Sequence, residues 1–247
     1  MVLASILLSA SAAQAGAASG VRMLHTIPGG PGAELSLSGA GSSDPVGFGE
    51  ATDYLNSSAD SVEATVISGG KRLGDVIQVP GEGNHTIVVG KSGDKVTATL
   101  LEDGKATPGR TRWRAVHAAP EVGEAEFVLD DAAIGRLRQG DETGYDTVEP
   151  GPHSLAARRP GEKQAMVRSP TVDLVAGTAQ TAYLVGSGGE PTRFVVLQDA
   201  ASAPEVAPDT GLGGLSASHG PAWLLALLAA VSAGGAGGLS YARRARG

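Results

Sequence analysis

Apolar and polar side chains alternate in several short stretches of this chain. Ala33, Leu35 and Leu37 alternate with Glu34, Ser36 and Ser38, and Val96, Ala98 and Leu100 with Lys95, Thr97 and Thr99. Successive side chains of a strand point to opposite faces, so each stretch buries one face and wets the other. Ile87-Val88-Val89 is apolar throughout and predicts a central strand. The intervening pieces are turn-rich: Ser68-Gly69-Gly70, Pro80-Gly81-Glu82-Gly83, Ser92-Gly93-Asp94 and Glu149-Pro150-Gly151-Pro152. Short strands at a spacing of roughly ten residues predict small β-sandwiches. Asp131 to Gln139 allows one or two helical turns and nothing longer.

The pattern occurs twice. Val21-Arg22-Met23-Leu24-His25 with Pro28 recurs as Trp113-Arg114-Ala115-Val116-His117 with Pro120, and Ala33, Leu35 and Leu37 recur as Ala125, Phe127 and Leu129. Tyr54 matches Tyr145. Val76, Val79, Gly81, Val89 and Gly90 match Val172, Val175, Gly177, Val185 and Gly186, and Leu101 and Asp103 match Leu197 and Asp199. Order and spacing kept over this length indicate duplication. The expected fold is therefore all-β: two tandem small, immunoglobulin-like β-sandwiches, over residues 16–105 and 112–200, plus one C-terminal transmembrane helix. Gly104 to Thr111, with Pro108-Gly109, reads as a short hinge between the repeats.

The two ends carry different signals. Residues 1–15 read as a signal peptide: Val2, Leu3, Ile6, Leu7 and Leu8 are apolar, and Ala13-Gln14-Ala15 before Gly16 forms a cleavage site between Ala15 and Gly16. The missing basic n-region implies a truncated signal, with a true start upstream or a misplaced one. From Ala222 to Tyr241 no residue is charged, a length that spans a bilayer at helical rise. Residues 222–242 form the expected anchor helix, with Trp223 and Tyr241 at the interfaces and a basic tail, 243–247, in the cytoplasm. Residues 201–221, rich in Ala, Pro, Gly and Ser, form a linker that lifts the repeats off the anchor. Within it, Ala207-Pro208-Asp209-Thr210-Gly211 followed by an apolar span and a basic tail resembles a cell-wall sorting signal. That resemblance implies a sortase as partner and linkage of Thr210 to the cell wall; Ala207 in place of Leu and the long spacer to Ala222 depart from it. The alternative is linker punctuation ahead of an ordinary anchor.

Composition narrows the function. There is no cysteine among 247 residues, so disulfides and thiolate chemistry are excluded. Formal net charge is −7; three of the 19 cations (Arg243, Arg244 and Arg246) lie in the last five residues, and all 26 acids lie upstream. A surface this acidic argues against nucleic acid as a partner.

Val-Arg-x-x-His-x-x-Pro at the head of a repeat, followed by Phe48-Gly49-Glu50 and then Tyr54, resembles the domain of unknown function 4397 family over about residues 21–200. The resemblance implies exported bacterial β-domains, often in tandem and often in actinobacteria, and no established activity. Gly140-Asp141-Glu142 stands where Phe48-Gly49-Glu50 would be expected in the second repeat.

No sequence element demands a catalytic, cofactor or metal site. His25, His85, His117, His153 and His219 lack the spacing of metal ligands on one element. His25 and His117, one per repeat at a strand end before a Pro turn, read as structural histidines bonded to that turn. Asp130-Asp131 and Asp141-Glu142 read as turn-solvating carboxylates. Tyr54 and Tyr145 read as core residues with rim hydroxyls, or as aromatic contacts of a binding face. The functional expectation is a cell-surface-anchored, non-catalytic module that adheres to or binds a surface ligand not specified by the sequence. A structural spacer of the envelope and, further off, a cell-wall hydrolase are the alternatives. A spacer predicts no exposed apolar patch shared by both repeats; an adhesin predicts one.

Overall fold

The alternation seen in the sequence folds into sixteen strands, with no helix among the described residues. The computed structural model describes residues 19–186 and 189–201. The signal segment 1–15 with Ala15 and Gly16, nearly all of the linker with Ala207 to Gly211, the anchor 222–242 and the tail 243–247 lie outside them. No helix among the described residues is long and apolar enough to cross a membrane.

The first repeat supplies β1 (Ser19–His25), β2 (Ala33–Leu37), β3 (Gly41–Ser42), β4 (Leu55–Ser57), β5 (Ser61–Ser68), β6 (Lys71–Pro80), β7 (His85–Ser92) and β8 (Lys95–Glu102). The second supplies β9 (Thr111–His117), β10 (Ala125–Leu129), β11 (Ala132–Leu137), β12 (Asp146–Val148), β13 (Gly151–Arg158), β14 (Ala165–Leu174), β15 (Thr178–Val185) and β16 (Arg193–Ala201). Each repeat builds two four-stranded sheets. The orders are β4-β1-β7-β8 and β3-β2-β5-β6 in the first, and β12-β9-β15-β16 and β11-β10-β13-β14 in the second. Strand for strand the topologies are the same, including the parallel pairs β1–β7 and β9–β15.

Each repeat closes a core between its two sheets. Val21, Met23, Leu35, Val66, Ile87 and Val89 fill the first; Trp113, Phe127, Leu155, Ala182 and Leu184 fill the second. The alternating residues Ala33, Leu35 and Leu37 are all buried, with half-buried Glu34 and Ser36 between them, as period two requires. In β1, β9 and β15, by contrast, nearly every position is buried. A third cluster explains why. Leu24, Val88, Leu101, Val116, Tyr183 and Val185, drawn from both repeats, pack together on the outer faces of these strands. The sheet containing β1 and the sheet containing β9 lie face to face, and the repeats form one compact unit rather than two bodies on the expected hinge.

Three details differ from the sequence expectation. Asp131 to Gln139 contains β11, not a helical turn: Leu129 pairs with Ala132 across a two-residue turn. Asp130 and Asp131 both take positive φ, 47° and 66°, a conformation that short polar side chains tolerate and tight hairpins need. The Asp130 carboxylate accepts the Ser154 backbone N–H at 2.8 Å and so ties the hairpin turn to the neighbouring strand β13. Second, the register of the duplication shifts. Thr26 N–H donates to Val89 O and Ala118 N–H to Leu184 O, which makes Leu184, not Val185, the counterpart of Val89, and Val185 that of Gly90. Likewise Val62 pairs with Val79 and His153 with Val172, so Val172 rather than Val175 answers Val79. Third, Gly49 and Gly140 donate to the carbonyls of His25 and His117 respectively. Gln139-Gly140-Asp141 is thus the equivalent of Phe48-Gly49-Glu50, one residue earlier than the sequence alignment placed it.

Phe127 is fully buried, with its ring 6.0 Å from the rings of both His117 and Phe194. Phe127→Ala is expected to cost about 3–5 kcal/mol of unfolding free energy, through lost burial and an unfilled cavity. The midpoint of equilibrium denaturant unfolding measures it.

Candidate functional site

The face between the two repeats is apolar at its margins and ionic at its centre. β1 turns Arg22 out of its own core toward the other repeat, because Val21 and Met23 occupy the inward positions. Its Nε donates to Thr86 Oγ1 at 2.9 Å, its Nη1 to Gln198 O at 2.7 Å, and its Nη2 to Asp199 Oδ1. The second repeat repeats the arrangement in reverse. Arg114 Nε donates to Thr181 Oγ1 at 2.9 Å, Nη1 to Glu102 O at 3.0 Å, and Nη2 to Asp103 Oδ1 at 3.3 Å. Each arginine therefore binds its own repeat's threonine and the other repeat's aspartate.

Threonine and tyrosine complete the carboxylates. Thr86 donates to Asp103 at 2.8 Å and Thr181 to Asp199 at 2.6 Å. The Tyr54 hydroxyl donates to Asp103 Oδ2 and the Tyr145 hydroxyl to Asp199 Oδ2, both at 2.6 Å. Each ring also lies under a guanidinium: Arg22 stands 4.7 Å from the Tyr54 centroid and Arg114 4.5 Å from that of Tyr145. Gly104 lets the second ring in, since a Cβ there would stand 2.6 Å from Tyr145 Cζ. Both arginines and both aspartates are buried.

The same residues head the family pattern. The chain matches the family described as "Domain of unknown function (DUF4397)" over residues 19–128 and again over 114–207. The chain belongs to this family. No curated protein matches it. The two matches overlap, as befits a tandem DUF4397 chain whose repeats share a face.

Electrostatics in this DUF4397 pair follow from burial. Burial opposes the charge on Arg22, but Tyr54, Asp103, Tyr183 and Asp199 outweigh it and raise its pKa. Arg114 is raised in the same way, against burial, by Tyr145, Tyr183, Glu142 and Asp199. Burial, helped by Asp103, lifts Asp199 above the ordinary carboxylate value, while Thr181, Tyr145 and Arg22 pull it down. Both Tyr54 and Tyr145 are pushed far up by burial, so their hydroxyls stay protonated and donate. Tyr183, at the centre, is raised to about 12, mainly by burial.

Of the residues singled out in the sequence, Tyr54 and Tyr145 sit in this network, half-buried, with hydroxyls aimed inward at the neighbouring charges. His25 and His117 instead continue the core-facing positions of β1 and β9, and the His117 ring lies 6.0 Å from that of core Phe127. His117 Nε2 bonds Gly123 O at 2.8 Å in the turn beyond Pro120, and its Nδ1 accepts from Ala119 N–H; His25 is bonded to the Gly47 backbone. The network residues that single-position reasoning passed over are Arg22, Arg114, Thr86, Thr181, Asp103 and Asp199. Their signal was present: an arginine recurring between apolar neighbours of a buried strand has to meet a counter-charge. Among the described residues no group of three or more His, Asp or Glu side chains is placed to hold a metal ion.

Beside the ionic centre the seam opens into a cleft of about 230 Å³. Its walls come from β7, β8, β9 and the Gln139–Gly140 turn.

Two outcomes test this account. Asp199→Ala leaves the buried Arg22 without its carboxylate and is expected to cost about 3–5 kcal/mol, measured by denaturant unfolding. Burial lowers His25 and His117, against their backbone bonds, so the unfolded chain binds protons first. Their contribution is complete above the ordinary value of about 6.5 and is lost as the pH falls from there through the folded values. His153 runs oppositely: burial lowers it, but Asp130 and Glu149 O outweigh burial and raise it, so its contribution is lost as pH rises through its folded value. The Tm is expected to drop between about pH 7.5 and pH 5.5. The drop shrinks in His25→Asn/His117→Asn and steepens in His153→Asn.

Proposed function

We propose that this DUF4397 chain is an exported, surface-anchored, non-catalytic module whose two repeats act as one rigid binding body. The observation that carries the reading is the crossed Arg–Asp interface. The perturbed Arg22, Arg114, Asp199, Tyr54 and Tyr145 face one another inside that interface and are hydrogen-bonded there. Catalytic groups with shifted pKa values stand instead at the wall of a cleft, where substrate meets them. What lines the open seam is hydroxyl, amide and aliphatic, together with His117, whose two ring nitrogens are already bonded to Gly123 O and Ala119 N–H.

The rigid docking changes how binding is pictured. Two repeats on a flexible hinge would engage two copies of a ligand independently and gain by avidity. Repeats locked face to face present a single composite surface. A second reading, the envelope spacer, draws support from the exposed surface: the large exposed hydrophobics of the described residues are Val76 and Val175, which are not equivalent positions and form no shared patch. The sortase motif at Ala207 to Gly211 and the anchor at 222–242 belong to both readings, with membrane and cell wall as the implied partners and no cofactor.

Location is tested by protease treatment of intact cells and by fractionation with and without muramidase. The reading expects loss of the chain from whole cells under external protease. It expects release either by detergent alone, with the anchor retained, or by muramidase with wall fragments attached at Thr210. A chain protected in whole cells and recovered from the cytosol overturns it.

A further inference from the structure

The internal symmetry of the repeats offers a comparison within one molecule. The 230 Å³ cleft has a counterpart on the other side of the seam. Hydrogen bonding pairs Gln139 with Phe48, through the equivalent glycines, and strand register pairs Val88 with Tyr183, Thr97 with Arg193, and Thr99 with Val195. On the counterpart side these places are full. Arg193 lies 5.3 Å from the Phe48 ring centroid and its Nη2 donates to Phe48 O at 3.2 Å. It presses so closely on Gly49 that a Cβ there would stand 2.0 Å away. Phe48, Val195 and fully buried Tyr183 pack into the shared apolar cluster. On the open side the same backbone carries Gln139, Thr97, Thr99 and Val88, and the difference in bulk is the cleft.

The lining has a definite chemistry. Val88, Val116 and Ala118 make an aliphatic floor, while Thr26, Ser92, Thr97, Thr99 and Gln139 bring hydroxyls and an amide to the walls. The hydroxyls of Ser92, Thr97 and Thr99 make no hydrogen bond within the described residues, so their donors and acceptors are free for a ligand. No Lys, Arg, Asp or Glu lines the cleft. A charged ligand would lose its hydration there without a counter-charge. The volume falls below the usual range of about 300–1,000 Å³ for ligand pockets, which suits a single small ring. A pyranose has this complement: an apolar C–H face and a rim of hydroxyls that both donate and accept. A second hollow of about 340 Å³ shares Ser92 and Gln139, is bordered by Pro28 and Pro120 and, unlike the cleft, carries the charged residues Lys91 and Glu121; it leaves room for a further unit of a glycan.

We propose that the open half of the seam between the repeats is a binding site for one neutral sugar residue, and that duplication kept one such site while its twin was closed by Phe48, Tyr183 and Arg193. The site rests on the binding-module reading. It is tested on the purified full chain, independently of where the chain resides in the cell.

The measurement is saturation-transfer NMR of the full chain with glucose, galactose, mannose and N-acetylglucosamine as separate probes. At least one is expected to show transfer with a dissociation constant on the order of 1 mM, as a ligand of this size allows. Thr97→Arg/Gln139→Phe, which installs the closed side's own residues, is expected to abolish that signal while keeping a cooperative melt. Should this double variant fail to fold, Thr99→Val, also taken from the closed side, removes one hydroxyl at nearly constant volume and is expected to weaken binding about five-fold. No transfer to any probe, or a signal unchanged by both variants, overturns the proposal. Absence of transfer together with surface location would leave the spacer reading standing, so the two failures are distinguishable.

Discussion

Two arginines that reach across to the other repeat's aspartate are the constraint on which the rest of this structure depends. Arg22 and Arg114 leave their strands from between apolar neighbours, Val21 and Met23 in one and Trp113 and Ala115 in the other, and neither can be buried at that cost unless a carboxylate meets it. For Arg22 the carboxylate comes from the far edge of the opposite repeat; Arg114 takes Asp103 from the equivalent position at 3.3 Å and adds Glu142 of its own repeat at 2.6 Å, so the full set of pairs forms when the two sheets lie face to face in one orientation. A purely apolar face would tolerate sliding; donors and acceptors with fixed directions do not. Buried ion pairs of this kind are weak contributors to net stability and good setters of register. Here they fix one repeat against the other, with tyrosine rings lying under the guanidinium groups and phenol hydroxyls filling the remaining carboxylate valences.

That orientation then determines what else the face can be. The same two-fold relation that duplicates the clasp also duplicates the ground beside it, once with large side chains and once with small ones. A symmetric lock therefore holds an asymmetric surface. The apolar cluster around Leu24, Val116 and Tyr183 buries the ground beside the ionic centre, and a lower local dielectric strengthens the pairs. The external acidity of the chain, with 26 acids in its sequence, is borne by other surfaces and leaves the seam neutral.

Much of the fold was legible from alternation alone. Ala33, Leu35 and Leu37 gave the core face of β2, Ile87-Val88-Val89 a strand internal to its sheet, and the recurrence of Tyr54 and Tyr145 the duplication. Burial on two sides is harder to read. Thr97 and Thr99 look like the wet face of an amphipathic strand, yet they line the cleft toward the other repeat: period two shows which residues share a face and not whether a second sheet covers it. Asp131 to Gln139 escaped for a different reason: a two-aspartate hairpin turn lacks the usual glycine, and the short strand after it holds Gly135 and Arg136. The one-residue errors in matching Val185 with Val89 and Glu142 with Glu50 arose from indels in the loops, which only hydrogen bonding resolves. The clasp residues were visible as recurrences but not as partners, since alternation along a strand does not say which residue of the other repeat its outer face meets.

The central claim, that the crossed pairs make one body of two repeats, is tested most directly by cutting the connection. A protease site placed at Pro108-Gly109, in the turn joining β8 to β9, allows the full chain to be nicked between the repeats after folding. Size-exclusion chromatography of the nicked protein is predicted to show both halves in one peak, at low salt and in high salt alike, because the ion pairs are shielded from solvent. Two separate peaks, each of one repeat, would contradict the account.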